Sequence, residues 1–138
     1  MYLLWLHGKK SSAWNTKSTL CKEVADEHGF ELKAIDFQPV QDPDKRVEMT
    51  LDHLKDVHEP VVLVGSSMGG YVALCTAMQS PVHSLFLMSP ALYDHEYQCH
   101  EFSGITAPIT MIHGWRDEVV PVDNAIRFAR IHRPVLHI

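Results

Sequence analysis

The chain carries Val61-Val62-Leu63-Val64-Gly65-Ser66-Ser67-Met68-Gly69-Gly70, a run of four apolar residues followed directly by a Gly-x-Ser-x-Gly pattern. A helix-forming run from Tyr71 to Met78 comes next, so the pattern lies between a buried strand and a helix. This context is typical of a nucleophile elbow, in which a strained turn lifts the central side chain clear of the sheet. The stretch therefore predicts that Ser67 is a nucleophile.

Two other local structures could produce the same pattern. A Gly/Ser-rich loop between a strand and a helix can be an ordinary turn, or it can cradle a phosphate group. Phosphate-binding loops of the common type end in Gly-Lys-Ser/Thr, which this stretch does not. The apolar residues before the pattern and the helix after it favour the elbow.

Length and charge limit the possible functions. The 138 residues suffice for one domain with one core, so we expect residues 1–138 to fold as a single unit. The 12 basic and 17 acidic residues give a net charge of −5, without a basic stripe that could neutralise a phosphate backbone. We therefore expect no nucleic-acid partner.

No membrane, targeting or metal-binding segment is evident in the sequence. Apolar runs stay below the roughly 20 residues of a membrane-spanning helix, and the apolar start from Tyr2 to Leu6 is too short for a signal peptide. The three cysteines are too widely spaced for a disulfide framework or a Cys-x-x-Cys site, and the group His95, Glu96, Cys99 and His100 lacks zinc-site spacing. We expect a cytoplasmic protein without a membrane contact, a metal or a cofactor.

Short β-type runs alternate with longer helical patterns, which is typical of right-handed βαβ units and a parallel sheet. The predicted strands are Tyr2 to Leu6, Glu31 to Ile35, Pro60 to Val64, His83 to Met88, Ile109 to Ile112 and Pro134 to Ile138. The predicted helices are Thr16 to His28, Asp44 to Val57, Met68 to Gln79 and Val122 to Ile131. Together they predict an α/β fold with a doubly wound, mostly parallel sheet of about six strands and helices on both faces. In such folds the ligand lies beyond the carboxyl ends of the strands.

The loop after the first strand, His7-Gly8-Lys9-Lys10, has a glycine near its start and can aim a backbone N–H group at the site. The N–H group of Lys9, paired with that of Met68 after the nucleophile, would form a two-donor oxyanion hole. An ordinary turn with His7 bonded to the backbone is the alternative.

An acidic residue follows the fifth strand, in His113-Gly114-Trp115-Arg116-Asp117-Glu118-Val119-Val120-Pro121. A carboxylate there could hold an imidazole in the required tautomer and stabilise its cation during proton transfer. Asp117 is the candidate acid. Capping of the helix that starts near Val122 is its alternative role, and Glu118 is the competing acid.

Three motifs occur in order at strand ends: His7-Gly8, Gly65-x-Ser67-x-Gly69 and His113-Gly114-x-x-Asp117-x-x-Val120-Pro121. Together they resemble the α/β-hydrolase superfamily over essentially the whole chain. The short length and the opening Leu6-His7-Gly8-x-x-Ser11-Ser12 are similar to small bacterial esterase-like serine hydrolases. The resemblance implies a minimal α/β-hydrolase fold with Ser67 as nucleophile, Asp117 as acid, and Lys9 and Met68 as backbone donors.

The resemblance also implies a catalytic histidine in the loop after the last strand. His137 is the nearest candidate by position, but it lies within that predicted strand. A strand residue points to a sheet face, whereas a general base must come within about 2.6–3.2 Å of the serine hydroxyl. Other histidines near the predicted site or the last strand, each more often structural or exposed, are His7, His113 and His132. We expect the chain to be truncated before its catalytic histidine.

The segment from Ala91 to Ala107 lies where α/β-hydrolases insert a lid, and it is too short for a large one. We therefore expect an open pocket for a small ester or thioester, and a serine esterase whose activity is impaired without its histidine. The alternative is a non-catalytic binding or regulatory protein on the same scaffold. Loss of the final helix would leave the last strand uncovered, so we also expect a possible homodimer through the C-terminal edge.

Overall fold

A computed structural model describes residues 1–138 as one six-stranded sheet with four helices. In chain order the elements are β1 (Tyr2–Leu6), α1 (Thr16–Glu27), β2 (Glu31–Ile35), α2 (Pro43–Leu54), β3 (Val61–Ser66), α3 (Met68–Ala77), β4 (Ser84–Met88), β5 (Ile109–Ile112), α4 (Val122–His132) and β6 (Val135–His137). The strands lie in the order β2-β1-β3-β4-β5-β6, and every neighbouring pair is parallel. The predicted α/β fold is confirmed, with a sheet that is wholly parallel.

Successive side chains of a strand point to opposite faces of the sheet, and both faces are apolar in the interior strands β1 and β3. On one face Trp5 and Val64 pack with Ala25 of α1. On the other face Leu4 and Leu63 belong to the larger core, to which α2, α3 and α4 contribute. The helices therefore cover both faces, as the sequence predicted.

Several predicted boundaries differ from the observed ones by one to three residues, and two of these differences have identifiable reasons. β3 continues to Ser66, because Gly65 pairs with Leu6 of β1 and Ser66 pairs with Met88 of β4. α2 ends at Leu54, where the chain turns and the N–H of Val57 donates to the Leu54 carbonyl. The extension of β3 carries the ladder up to the residue before Ser67.

The segment between β4 and β5 forms neither a helix nor a strand, and its aromatic residues mostly fill the core. Phe102 is buried and packs edge-on against Tyr71 of α3 and Phe128 of α4. Tyr97 is buried against Tyr71 with ring centroids 4.7 Å apart. The segment therefore closes the core beneath it and builds no large lid.

The C-terminal edge of the sheet is open. β6 pairs only with β5, and the exposed fractions of Val135 and Ile138 are 59% and 57%. Dimerisation through this edge stays a prediction. No helix in the structure has both the length and the apolar character needed to cross a bilayer.

Two glycines of the elbow allow backbone segments to touch. A Cβ atom at Gly69 would overlap the carbonyl of Leu6, at the end of β1. A Cβ atom at Gly65 would overlap the backbone of Gly69. The start of α3 therefore lies directly on the carboxyl ends of β1 and β3, and only glycine fits at this contact.

Replacing Gly69 by alanine is expected to lower the free energy of unfolding by about 1–3 kcal/mol or more, since backbone atoms cannot move aside as a flexible side chain can. The matched control is Gly114→Ala, where an added Cβ meets no atom within 4 Å. That control should change the free energy of unfolding by no more than about 1 kcal/mol. Urea denaturation measures both, and equal stability of the two variants would contradict this packing.

Candidate active site

Ser67 occupies a strained turn between β3 and α3. Its backbone angles are φ 54° and ψ −118°, a left-handed value that a residue with a side chain rarely adopts. Hydrogen bonds hold the turn, because the Ser67 N–H donates to the Met88 carbonyl at 3.0 Å and the Ser67 carbonyl accepts from Gly70 and Ala91. The serine side chain thus stands at a fixed place beyond the carboxyl end of the sheet.

Two backbone N–H groups beside this turn have no acceptor within the chain. One belongs to Met68, the first residue of α3, and the other to Lys9 in the loop after β1. That loop lies against the serine, since a methyl group added to Gly8 would sit 3.5 Å from the Ser67 Cβ. Unpaired donors at such a place are available to a ligand.

A cavity of about 510 Å³ opens over Ser67. Gly8 and Lys9 line it on one side, and Tyr97 and Val120 line it elsewhere. Its charged lining residues are Lys9, Lys10, Lys17, Asp94 and Glu96. The volume matches a small ligand, and the lining carries charges of both signs.

Lys17 has a specific partner in the site. Its Nζ donates to the Ser66 hydroxyl at 3.1 Å, directly beside the candidate nucleophile. The sequence could not predict this contact, because no sequence pattern links a residue of α1 to the end of β3, and a lysine on a helix is ordinarily solvated.

Asp117 is held as a carboxylate in its loop. Its Oδ1 accepts hydrogen bonds from the N–H groups of Val119 and Val120, each at 2.9 Å. Burial alone would raise the pKa of Asp117, but these N–H donors, the Ser89 hydroxyl and the nearby His113 outweigh it and lower the pKa below its ordinary value. Asp117 caps its own loop rather than α4, and Glu118 is exposed.

His113 is a fully buried neighbour of this carboxylate. Its Nε2 donates to the Val120 carbonyl at 2.8 Å and lies 3.5 Å from Asp117 Oδ2. Its Nδ1 is buried without a partner. Its Nε2 bond to the Val120 carbonyl stabilises the loop of Asp117, and His113 forms no hydrogen bond to Ser67.

The structure does not join His137 to Ser67 or to Asp117. His137 is exposed in β6, where its register partner is Ile112. It lines a separate cavity of about 370 Å³ together with Ser89 and His113, the two residues beside Asp117. None of the ten histidines of the chain forms a hydrogen bond to the Ser67 hydroxyl.

His7 is a structural part of the loop that carries Lys9. Its Nδ1 donates to the Gly8 carbonyl at 2.7 Å, while its Nε2 accepts from the Phe37 N–H at 2.9 Å. The pairing fixes the neutral tautomer with its proton on Nδ1. Both ring nitrogens of His7 are therefore bonded to the backbone, as in the ordinary turn that the sequence also allowed.

Arg46 of α2 was missed by the sequence analysis. Its guanidinium is fully buried and donates to the carbonyls of Val40, His7, Gly8 and Lys9. One arginine on an amphipathic helix is ordinarily solvated, and its partners here are backbone atoms without a sequence signature. No pattern in the sequence could have found it.

Comparison with known proteins identifies the family of this chain and its fold. Residues 2–104 match an uncharacterised protein family, UPF0227. The chain belongs to this family. No curated protein sequence matches significantly.

Solved structures extend the assignment of this UPF0227 member. A candidate hydrolase of the α/β superfamily from Xanthomonas campestris pv. campestris is 28% identical, with a TM-score of 0.88 over 98% of this chain and 83% of that chain. Mouse alpha/beta hydrolase domain-containing protein 10 shares the fold at 19% identity and a TM-score of 0.81, over 99% of this chain and 80% of that one. Est1E from Butyrivibrio proteoclasticus shares it at 16% identity and a TM-score of 0.78, over 99% and 75%. The resemblance to the α/β-hydrolase superfamily is confirmed.

The buried imidazole of His7 should make stability depend on pH. Burial lowers the pKa of His7 below its ordinary value of about 6.5, although its bond to the Gly8 carbonyl acts in the opposite direction. Below about pH 6.5 the unfolded chain binds a proton that the native chain does not, so the free energy of unfolding falls as pH drops. The melting temperature should therefore decrease between about pH 7.5 and pH 5.5.

A His7→Gln variant is the control for this decrease. Burial also lowers the pKa of His132, which contributes equally to both proteins, so the difference between them isolates His7. The melting temperature of the variant, measured by circular dichroism, should fall less over the same pH interval than that of the parent chain. Parallel curves for the two proteins would count against a neutral, buried His7.

Proposed function

We propose that this α/β-hydrolase is a serine hydrolase of small carboxylic esters or thioesters. The Ser67 hydroxyl attacks the substrate carbonyl, the alcohol or thiol leaves, and water then hydrolyses the acyl-Ser67 intermediate. The observation that carries the proposal is the strained Ser67 turn beside two unpaired N–H groups, those of Lys9 and Met68. In the tetrahedral intermediate these two groups donate to the negatively charged oxygen, which is the charge that the reaction develops.

Asp117 acts on the general base in this proposal. Its lowered pKa keeps it ionised at neutral pH, and a carboxylate hydrogen-bonded to an imidazole fixes the tautomer and stabilises the imidazolium. The loop that holds Asp117 also reaches the nucleophile's cavity, because Val119 and Val120 line it. This arrangement supports Asp117 over the exposed Glu118.

In our proposal the lack of a general base at Ser67 limits the rate of hydrolysis by this chain. No imidazole forms a hydrogen bond to the Ser67 hydroxyl, and His137 lines a different cavity. Ser67 then stays protonated and weakly nucleophilic, while an oxyanion hole and substrate binding retain about 10³-fold to 10⁴-fold acceleration over water. A feeble esterase activity is therefore the expectation for these 138 residues.

A binding or regulatory role on the same scaffold is the second candidate. The missing contact between Ser67 and a histidine is the observation that favours it. In that case Ser67 would be an ordinary turn residue, and the cavity would bind a small molecule without turnover. Chemical rescue of the base distinguishes the two candidates.

Added imidazole should accelerate hydrolysis of p-nitrophenyl acetate and butyrate by this chain. A free imidazole can enter the open cavity and accept the Ser67 proton. We expect at least about a tenfold gain, which is less than the roughly 10²-fold to 10⁴-fold of a general base held in position. Imidazole also cleaves these esters in solution, so Ser67→Ala gives the background. Ser66→Ala is the matched control for removing a neighbouring hydroxyl and should retain the rescue. A Ser67→Ala rate equal to that of the parent chain would leave the binding role as the better account.

Replacing Asp117 by asparagine should weaken that rescue by at least about tenfold. Asparagine keeps an acceptor for the N–H groups of Val119 and Val120, but it cannot stabilise an imidazolium. The neighbouring change Glu118→Gln removes the same charge from an exposed side chain and should leave the imidazole-dependent rate unchanged. If Glu118→Gln lost the rescue and Asp117→Asn kept it, the acid would be Glu118.

A further inference from the structure

Arg46 carries a buried charge with no acidic partner. Its side chain has no exposed surface, and no carboxylate lies within 4.0 Å of it. Four of its five N–H donors are used instead by backbone carbonyls: Nε donates to Val40 at 2.7 Å, Nη1 to His7 and Gly8 at 3.1 Å each, and Nη2 to Lys9 at 3.1 Å. The ring of Phe37 lies beneath the guanidinium at 5.0 Å.

Three of these carbonyls are consecutive, and that determines where the loop's N–H groups point. In a trans peptide the C=O of one residue and the N–H of the next are antiparallel. Because the carbonyls of His7, Gly8 and Lys9 face Arg46, the following N–H groups face away from it. None of the N–H groups of Gly8, Lys9 and Lys10 has an acceptor within the chain, and Gly8, Lys9 and Lys10 all line the cavity over Ser67.

Of the three peptide groups whose carbonyls face Arg46, the one between Gly8 and Lys9 has the most hydrogen bonds to its carbonyl oxygen. The Gly8 carbonyl accepts from Arg46 Nη1 at 3.1 Å and from His7 Nδ1 at 2.7 Å. A further donor, the Ser11 N–H, reaches it at 3.3 Å. Since three donors fix this oxygen, the Lys9 N–H on the opposite side of the peptide has one orientation.

We propose that Arg46 is a positioning residue that aims the Lys9 N–H at the oxyanion formed on Ser67. The inference rests on the proposed hydrolase function, and it assigns to a residue of α2 the orientation of a donor on the loop after β1. Arg46 touches no reacting atom. It acts by gathering the carbonyls of the loop on one side, so that their partner N–H groups line up on the other.

A purely stabilising role explains the arrangement less well. Burying a charge costs more than its hydrogen bonds return in many proteins, and apolar replacements are often as stable. Anchoring consecutive carbonyls of one loop, by contrast, produces a row of N–H groups that can receive an anion. The direction of those N–H groups is therefore the property to test.

The test compares two ligands of matched chain length. Butylboronic acid forms a tetrahedral adduct on a serine hydroxyl and places a negative oxygen where the oxyanion forms, whereas pentanamide stays neutral and trigonal. We expect Arg46→Lys to raise the dissociation constant of butylboronic acid at least about tenfold, since small misplacements of a site group can cost up to 10²-fold. The dissociation constant of pentanamide should stay within about twofold, measured by NMR titration at a temperature where circular dichroism shows folded protein.

Two further variants complete this comparison. Lys45→Met removes a positive charge from the adjacent, exposed position of α2 and should leave both dissociation constants unchanged. Ser67→Ala should lose boronate binding. If folded Arg46→Lys bound butylboronic acid as tightly as the parent chain, the inference would be overturned and the proposed function would stand. The same holds if Arg46→Lys bound both ligands more weakly by the same factor. Equal boronate binding by Ser67→Ala and the parent chain would instead overturn the proposed function and the inference with it.

A measurement on the unmodified chain keeps the inference testable if Arg46→Lys fails to fold. In ¹⁵N-labelled protein, butylboronic acid should shift the Lys9 amide proton downfield, because that proton donates to the new anion. Pentanamide should shift it much less. A downfield shift confined to the Lys10 amide, with Lys9 unaffected, would show that the loop presents a different N–H group and would overturn the assignment.

Discussion

Direct backbone contact between the end of β1 and the start of α3 is the constraint on which the site depends. Gly69 packs against the carbonyl of Leu6, and Gly65 packs against Gly69. This contact lets the chain reverse within one residue after β3, which requires the left-handed conformation of Ser67. It also brings the loop after β1 against the serine, so one packing requirement positions both the candidate nucleophile and the candidate donors.

Polar groups around the elbow divide into those that are satisfied and those that are not. The carbonyls of the loop after β1 are bonded to Arg46 and His7, and the Asp117 carboxylate is bonded to its own loop. The N–H groups of Lys9 and Met68 are left without acceptors. Water in the open cavity can bond to these donors, and a ligand that supplies an acceptor can replace that water.

Much of the fold could be predicted because its signals are local. Apolar runs predicted β1 and β3, and the glycines around Ser67 predicted the elbow. Both signals lie within the segment whose structure they predict. The position of Asp117 beyond a strand end could also be predicted, while its role as the acid stays a prediction. The contacts of Arg46 could not be predicted, because its partners are carbonyl oxygens that every residue possesses. The same holds for Lys17, whose bond to Ser66 joins segments far apart in the chain.

A crystal structure of the chain with butylboronic acid tests the central claim most directly. The account predicts a covalent bond from boron to the Ser67 Oγ and a boronate oxygen within about 2.7–3.1 Å of both the Lys9 and the Met68 nitrogen atoms. A boronate bonded to another residue, or one on Ser67 whose oxygens all point to solvent, would contradict it.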